Sequence, residues 1–492
     1  MTVPNTPSRS TEPPSGFRSI AANAGYLFAA RSVANVLRAL YVVVLARALG
    51  PEMYGLLAYG QSWYGVFLPL TALGFAVVLA RETGLDRARG RVLAARMFFL
   101  RGPLTLLAAA LCAGIGWAAN AEPMVRLLLG IVSLALVGRA MATMAEDIFA
   151  AFEVSQLTFR QEAMFRPAEV VIGLAILAAG GGVLEIAALH AAIHFAQGVR
   201  GLALVRRHVT LRREPIAWRP LAGLLSKGIL AGLAGILSVW LLQGPLVLYA
   251  QSAGDKASIG HLALALQALV LLCNLPWAIG RAALPVLSRA SARQDGSDVR
   301  YVDAMLRLAF VFAAALGIAG TAIGPWLMAR VFGAGYVGTG ALLGPALWLL
   351  LPLAAATALN PLLMVRESYL VAGLSALAGA AAMTLAVPIL TANMGPLGAL
   401  AGAGTGLGLW ALCLLALAAR HKQVTIGLAI VRPSIAVVIA LLAYISMQSV
   451  GAGPWWSLSV AWLVLLLAAL GLCMAATERR ALAALWARYR SK

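Results

Sequence analysis

Residues 23–49 read NAGYLFAARSVANVLRALYVVVLARAL, a stretch that is long and apolar enough to cross a bilayer. It also carries Arg31, Asn35 and Arg38, whose spacing places all three on one face of a helix. An arginine at the centre of a bilayer costs about 2.5–3.5 kcal/mol on insertion scales unless it faces protein or water. We therefore expect a transmembrane helix whose polar face lines an internal aqueous cavity and binds an anion.

The composition indicates a polytopic membrane protein. Of the 492 residues, 62% are hydrophobic and 11% are charged, and the mean hydropathy is +0.88. The net charge is +20, but most Lys and Arg residues fall in loops on one side of the expected membrane spans. This bias indicates topology and contact with anionic membrane lipids, so we expect no nucleic-acid partner. The four cysteines lie in apolar segments without metal-ligand spacing, and we expect no metal and no cofactor.

Hydropathy predicts an all-α protein with about fourteen transmembrane helices. Because the even number leaves both ends on one side and the loops after even-numbered spans are basic, both termini are expected in the cytoplasm. The expected spans are residues 24–48, 56–80, 97–119, 124–148, 168–182, 184–205, 224–249, 259–284, 305–328, 338–362, 368–391, 396–418, 425–449 and 455–476.

The longest connection is basic and falls near the middle of the chain, which predicts two pseudo-symmetric six-helix lobes followed by two additional helices. The outward loops are too short to hold a domain outside the membrane. The expected units are a disordered cytoplasmic tail (1–22), an N-terminal lobe (23–205), a basic linker (206–222), a C-terminal lobe (223–418), two more spans (419–477) and a basic cytoplasmic tail (478–492).

The fourth expected span carries Arg139 on the same face as Glu146, with Asp147 next to it. This pattern has two readings: a salt bridge at the helix end, or a cytoplasmic gate that opens and closes during transport. In the third span Arg101 lies about one turn inside the membrane, where we expect it to extend toward the lipid headgroups.

Two further spans carry polar residues that could line a lumen. The eighth span places Gln267, Asn274 and Arg281 at steps of seven residues, and the seventh span contributes Gln243. Isolated amides in membranes often only bond to neighbouring helices, so a lumen-lining role and a packing role both stay open.

His190 and His194 share one face of the sixth span. Such a pair can bind a metal or relay protons. Because no third ligand is visible, we expect hydrogen-bonded core histidines or residues that line the cavity.

The sign of the buried charge separates the candidate functions. Arg31, Arg38 and Arg139 lie near the middle of the expected spans and are candidate substrate-binding residues, whereas we expect no well-buried Asp or Glu. An exporter of organic cations needs intramembrane acids, while a guanidinium suits phosphate, which it binds through two parallel hydrogen bonds. The chain also has no nucleotide-binding loop, zinc-protease motif or nucleophile elbow, so we expect a transporter and not an enzyme.

Residues 45–60, LARALGPEMYGLLAYG, resemble the first two spans of bacterial polysaccharide transporters. These are the Wzx-type oligosaccharide flippases of the multidrug/oligosaccharidyl-lipid/polysaccharide superfamily. Three shorter stretches agree with this resemblance: ALGF (72–75) with ARE (80–82), ALPVLSRA (283–290) and RVFGAGY (330–336).

The resemblance implies two six-helix lobes around a central cavity in the bacterial inner membrane. It also implies alternating access that moves an undecaprenyl-pyrophosphate-linked oligosaccharide to the outer leaflet, for O-antigen, capsule or exopolysaccharide synthesis. Basic residues of the first helix contact the pyrophosphate in this superfamily, which points to Arg31 and Arg38 here. We expect a monomer, and a polysaccharide polymerase is a candidate partner.

Three alternatives remain at this point. The cargo could be another polyprenyl-linked or polyanionic envelope precursor of peptidoglycan or teichoic type. The chain could be a membrane glycan polymerase or ligase, although the large outer loop expected of such an enzyme is missing. A multidrug exporter would need intramembrane acids that the expected spans lack.

Overall fold

Helices make up most of the chain in this computed structural model, which describes residues 15–209, 211, 218–252, 255–293, 296–365, 369–420, 424, 425 and 427–473. These residues contain no β-strand. Eleven of their helices are long and apolar enough to cross a membrane. The predicted all-α polytopic membrane fold is therefore confirmed.

The described residues form fifteen α-helices. The α-helices in chain order are α1 (Ser15–Phe67), α2 (Phe75–Leu85), α3 (Arg87–Ala119), α4 (Pro123–Ala151), α5 (Gln156–Ala178), α6 (Val183–His208), α7 (Trp218–Ser252), α8 (Lys256–Arg293), α9 (Ser297–Phe332), α10 (Val337–Trp348), α11 (Leu350–Val365), α12 (Tyr369–Met394), α13 (Pro396–Arg420), α14 (Arg432–Ser449) and α15 (Pro454–Ala468).

The first two expected spans are joined through a sharp bend inside α1. Gly50 has φ 72° and ψ 171°, a left-handed conformation that glycine adopts without the penalty of a Cβ atom. Pro51 follows and suits the first turn of the next helical segment. The second expected span, 56–80, is itself interrupted, because α1 ends at Phe67 and a 3-10 turn containing Pro69 precedes α2.

The fifth helix differs most from the sequence prediction. We placed the start of this span at residue 168, whereas α5 begins at Gln156. The added turns contain Glu162 and Arg166, whose charges lower a hydropathy average, yet both side chains are buried. Buried charges of this kind are stable only when other groups pair with them.

The long kinked helix α1 packs against helices from both halves of the chain, including α4 and α5 on one side and α7 and α8 on the other. The last two helices, α14 and α15, pack on each other and on α9. The division into lobes at 23–205 and 223–418 stays a prediction. The helix α1 begins at Ser15, inside the expected tail 1–22, and the expected tail 478–492 lies outside the described residues.

One end of the helix bundle, close to Gly50, is closed by contacts between the two halves of the chain. Lys256 Nζ lies 2.8 Å from Glu122 Oε1. A Cβ atom added to Gly55 would lie 2.7 Å from the backbone nitrogen of Gly260 and from the carbonyl oxygen of Lys256. The backbones of α1 and α8 therefore touch here, as small residues allow in membrane helices.

Candidate functional site: a central cavity beside a buried ion network

A cavity of about 470 Å³ lies between α1, α5 and α6 on one side and α7 and α8 on the other. Its polar lining faces inward from several helices. The charged or strongly polar residues among those that line it are Arg38, Gln61, Ser62, Arg166, Glu169, His190, Gln243 and Gln267. The cavity therefore combines one cluster of charged groups with hydroxyl and amide groups that can bond to a polar ligand.

Arg38 is exposed and lines this cavity, even though it lies inside a transmembrane helix. Among the residues that the structure describes, none forms an ion pair or hydrogen bond with its guanidinium. Glu169, on the same cavity wall, attracts it, whereas Arg166 and Arg139 repel it. A guanidinium in this setting presents its donors to whatever enters the cavity.

The predicted amides divide into two groups. Gln243 of α7 and Gln267 of α8 line the cavity. In contrast, Asn274 is absent from the described lining, and its amide nitrogen donates to the carbonyl oxygens of Val270 and Leu271 in its own helix. The polar residues that lie seven positions apart on α8 therefore do not all line the cavity: Gln267 does, and Asn274 is not among the described lining residues.

Three other predicted residues add less to the site. Asn35 is half-buried in α1 and is not among the described residues that line the cavity. Arg31 lies in α1 and Arg281 lies in α8, but their side chains fall outside the part of the chain that the structure describes.

Arg166 and Glu169 of the cavity wall belong to a larger set of paired charges that we call the buried ion network. Arg166 Nε lies 2.9 Å from Glu162 Oε2 and Arg166 Nη1 lies 2.5 Å from Glu169 Oε2. Arg139 Nη1 lies 3.0 Å from Glu146 Oε1 and 3.9 Å from Glu162 Oε1. The members of the network are Arg139, Glu146, Glu162, Arg166 and Glu169.

The amide of Gln197 in α6 completes the hydrogen bonds of this network. It accepts a hydrogen bond from Arg166 Nη2 over 3.0 Å and donates one to Glu162 Oε1 over 2.8 Å. Three helices, α4, α5 and α6, therefore hold the network together. A side chain that bonds to both partners of a buried ion pair helps to offset the loss of hydration.

The expectation that no Asp or Glu is well buried was wrong. Glu162 is 8% exposed and Glu169 is 6% exposed. Both acids lie on α5 with Arg166 between them, at spacings of four and three residues that place all three on one helix face. This spacing was visible in the sequence, but the charges led us to exclude residues 156–167 from the span.

His190 and His194 are hydrogen-bonded to each other, and His190 reaches the cavity. His190 lines the cavity, and its Nδ1 lies 2.7 Å from Glu169 Oε1. The Nε2 atoms of His190 and His194 are 3.0 Å apart. His194 is only 1% exposed, so it connects the cavity-lining histidine to the protein interior.

The residues proposed as a gate lie away from the described cavity lining. Glu146 pairs with Arg139 within α4, as the sequence spacing suggested. Asp147 pairs instead with Arg101 of α3, with Oδ2 and Nη1 2.6 Å apart. The expected extension of Arg101 toward the headgroups was wrong: its side chain is 1% exposed and also donates to the Thr71 carbonyl and the Thr143 hydroxyl.

Three solved structures with closely similar folds are transporters. The first is the lipid II flippase MurJ in an inward closed conformation, with a TM-score of 0.67 and 13% identity over 89% of this chain and 97% of that chain. The second is an inward-facing multidrug resistance MATE transporter, with a TM-score of 0.63 and 13% identity over 80% of this chain and 98% of that chain. The third is a MOP superfamily transporter from Pyrococcus furiosus, with a TM-score of 0.61 and 12% identity over 82% of this chain and 95% of that chain. At these identities the likeness concerns the fold alone, and the chain shares the polytopic all-helical fold of these proteins. No curated protein sequence matches the chain.

A family model described as "polysaccharide biosynthesis protein" matches residues 20–291. The chain belongs to this family. This membership agrees with the expected resemblance to polysaccharide transporters, and the likeness in fold agrees with the expected polytopic all-helical architecture.

Proposed function

We propose that the protein flips an undecaprenyl-pyrophosphate-linked oligosaccharide from the cytoplasmic to the outer leaflet of the bacterial inner membrane. The observation that carries this proposal is Arg38, an arginine exposed to a cavity inside the membrane and without an ion-pair partner among the described residues. In this position the guanidinium can bind a phosphate through two parallel hydrogen bonds.

The charge of the cavity lining supports an anionic cargo. Among the charged residues that line the cavity, Glu169 is bonded to Arg166 and to His190. Neither of these bonds involves Arg38, so its guanidinium donors remain for the ligand. The amides of Gln243 and Gln267 face the same space and can bond to sugar hydroxyls, while the lipid tail stays in the membrane.

The buried acids weaken the earlier reason for excluding a cation exporter, because Glu162 and Glu169 do lie in the membrane region. Their pairing with Arg166 still favours an anion. An organic cation would have to displace this arginine from two carboxylates and pass close to Arg38. Both steps cost electrostatic energy.

Alternating access supplies the transport mechanism in this proposal, with both termini in the cytoplasm. The family membership supports a role in O-antigen, capsule or exopolysaccharide synthesis. A polysaccharide polymerase is a candidate partner, and we propose a monomer. A second candidate cargo is another polyprenyl-linked envelope precursor, because one of the structures with a similar fold is a lipid II flippase.

The decisive experiment is deletion of the gene, followed by mass spectrometry of the undecaprenyl-linked intermediates that accumulate. We expect a complete lipid-linked oligosaccharide to accumulate, and its mass distinguishes the two candidate cargoes. Arg38→Ala should fail to restore surface polysaccharide at normal protein level. The control Arg300→Ala alters an exposed arginine outside the described cavity lining and should restore it. Full restoration by Arg38→Ala would refute the anion-binding role.

A further inference from the structure

We propose that His190 and His194 form a proton-binding site in the cavity wall, and that its occupancy is linked to the binding of an anion at Arg38. This inference rests on the anion-binding role proposed above. It concerns two residues that the proposed transport function does not otherwise use. The hydrogen-bond pattern, the charge balance and the position of His190 each contribute to it.

The hydrogen bonds fix how the two rings share their protons. Glu169 Oε1 accepts from His190 Nδ1 over 2.7 Å, because a carboxylate can only accept. His190 Nε2 then carries a lone pair and accepts from His194 Nε2 over 3.0 Å. Both imidazoles are neutral in this arrangement, and the same two contacts can also hold His190 with a proton on each nitrogen.

The arrangement leaves one lone pair unused, on His194 Nδ1. This atom is buried and has no hydrogen-bond partner among the described residues. In contrast, both oxygens of Glu169 and both oxygens of Glu162 already accept hydrogen bonds. His194 Nδ1 is therefore a basic acceptor that a proton entering this part of the protein can use.

Proton uptake can follow a balanced path through the pair. His194 Nδ1 takes the incoming proton, and the proton on His194 Nε2 moves to His190 Nε2. His194 ends neutral in its other tautomer, and His190 ends as an imidazolium that is bonded to the Glu169 carboxylate. One positive charge has then reached a side chain that lines the cavity.

The charges around the pair favour this uptake when an anion is present. The titratable or charged groups that face it are Arg38, Tyr41 and Tyr64 from α1, Arg139 and Glu146 from α4, and Glu162, Arg166 and Glu169 from α5. The buried ion network carries two arginines and three carboxylates, so it has one uncompensated negative charge. Arg38, on the same cavity wall, supplies the balancing positive charge.

An anion bound to Arg38 cancels that balancing charge and adds further negative charge to the cavity. His190 can respond to this change, because it lies in the cavity lining next to Glu169. Protonation of His190 restores the balance, and a protonated His190 in turn attracts the anion. The two binding events therefore strengthen each other, as linkage requires.

The test uses the full-length protein in lipid nanodiscs with farnesyl pyrophosphate as the probe. Calorimetric titrations at about pH 6.5, near the ordinary imidazole pKa, are run in two buffers with different ionisation enthalpies, which measures the protons taken up on binding. We expect His190→Gln and His194→Gln to take up about one proton fewer than the wild-type protein. As the pH rises, the affinity of the wild-type protein for the probe should fall by up to about tenfold more per pH unit than the affinity of the variants.

A matched control is His261→Gln, because His261 bonds to Thr339 and does not line the described cavity. It should behave like the wild-type protein. Because the same probe is used throughout, its own ionisation cancels in each comparison. Each histidine variant by itself interrupts the hydrogen bonds between Glu169, His190 and His194. One variant is therefore sufficient for the test if the other does not fold.

The outcomes separate the two proposals. Probe binding that Arg38→Ala does not weaken refutes the anion site itself. Probe binding that depends on Arg38 but involves no proton uptake by the wild-type protein overturns the linkage and leaves the anion site intact. Equal proton uptake in the wild-type protein and in a folded histidine variant also overturns it.

Discussion

Arg101 Nη1 lies 2.6 Å from Asp147 Oδ2, in a contact that joins α3 to α4 within the membrane. The arginine is 1% exposed and the aspartate 24% exposed. Removal of one member of such a pair leaves the other buried and unpaired, which costs about 3–5 kcal/mol. This contact therefore holds the two helices together.

We expect Asp147→Ala to lower the thermal stability of the detergent-solubilised protein strongly, by an amount equivalent to about 3–5 kcal/mol. The control is Arg87→Ala, which breaks the exposed pair with Glu153, where Arg87 is 66% exposed. That change should cost less than about 1 kcal/mol. Equal effects of the two variants would show that the Arg101–Asp147 pair is not a structural contact.

A second prediction concerns the close contact between α1 and α8. A Cβ at Gly55 would lie 2.7 Å from backbone atoms of Gly260 and Lys256, so Gly55→Ala should force these helices apart. In the topology that we propose, this end of the bundle faces outward, so we expect Gln243→Cys in the cavity of this variant to react faster with a membrane-impermeant maleimide added from the outer face. Protein without Gln243→Cys gives the background labelling.

The control for this experiment is Gly130→Ala, because no atom lies within 4 Å of the Cβ it would add. It also replaces a helical glycine by alanine, so its effect on helix propensity is similar. We expect it to leave the labelling rate unchanged. An unchanged rate in Gly55→Ala would mean that this contact does not close the outer end of the cavity.

The chemistry of Arg38 gives a third prediction. Arg38→Lys keeps the positive charge but loses the planar pair of donors that matches a phosphate. We expect it to restore surface polysaccharide only in part, measured by glycan staining at matched protein level. Restoration to the wild-type level would indicate that charge alone is required at this position.

The buried ion network gives a fourth prediction, which depends on pH. Arg166→Met leaves Glu162 and Glu169 without their nearest positive charge, so it should destabilise the protein by about 3–5 kcal/mol near neutral pH. This loss should shrink as the pH falls, because protonation neutralises the unpaired carboxylates. Thermal unfolding across a pH series measures both effects.

The control for this variant is Arg160→Met on the same helix, because Arg160 is exposed. We expect a change within about 0.5 kcal/mol at every pH, as for most surface substitutions. A loss for Arg166→Met that stays constant across the pH series would contradict the role of the two carboxylates.

Periodicity and hydropathy in the sequence were sufficient to predict the class of fold and one side of the site. Apolar runs long enough to cross a bilayer predict membrane helices. Such a run can be recognised from neighbouring residues in the chain alone. The same local argument placed Arg38 on a polar helix face, and Arg38 lines the cavity. It also paired Arg139 with Glu146, because both belong to one helix.

Only the tertiary structure decided which charges are buried and paired. The partners of Arg101 and Arg166 include Asp147 and Gln197, which lie 46 and 31 residues away in the chain. A hydropathy average counts each charge as a cost, so it excluded the turns of α5 that carry Glu162 and Arg166. The cost of burying a charge depends on partners from other helices, and packing brings those partners together. For that reason the sequence alone determined the membrane helices and the face of Arg38, while the fold decided where the acids of the site lie.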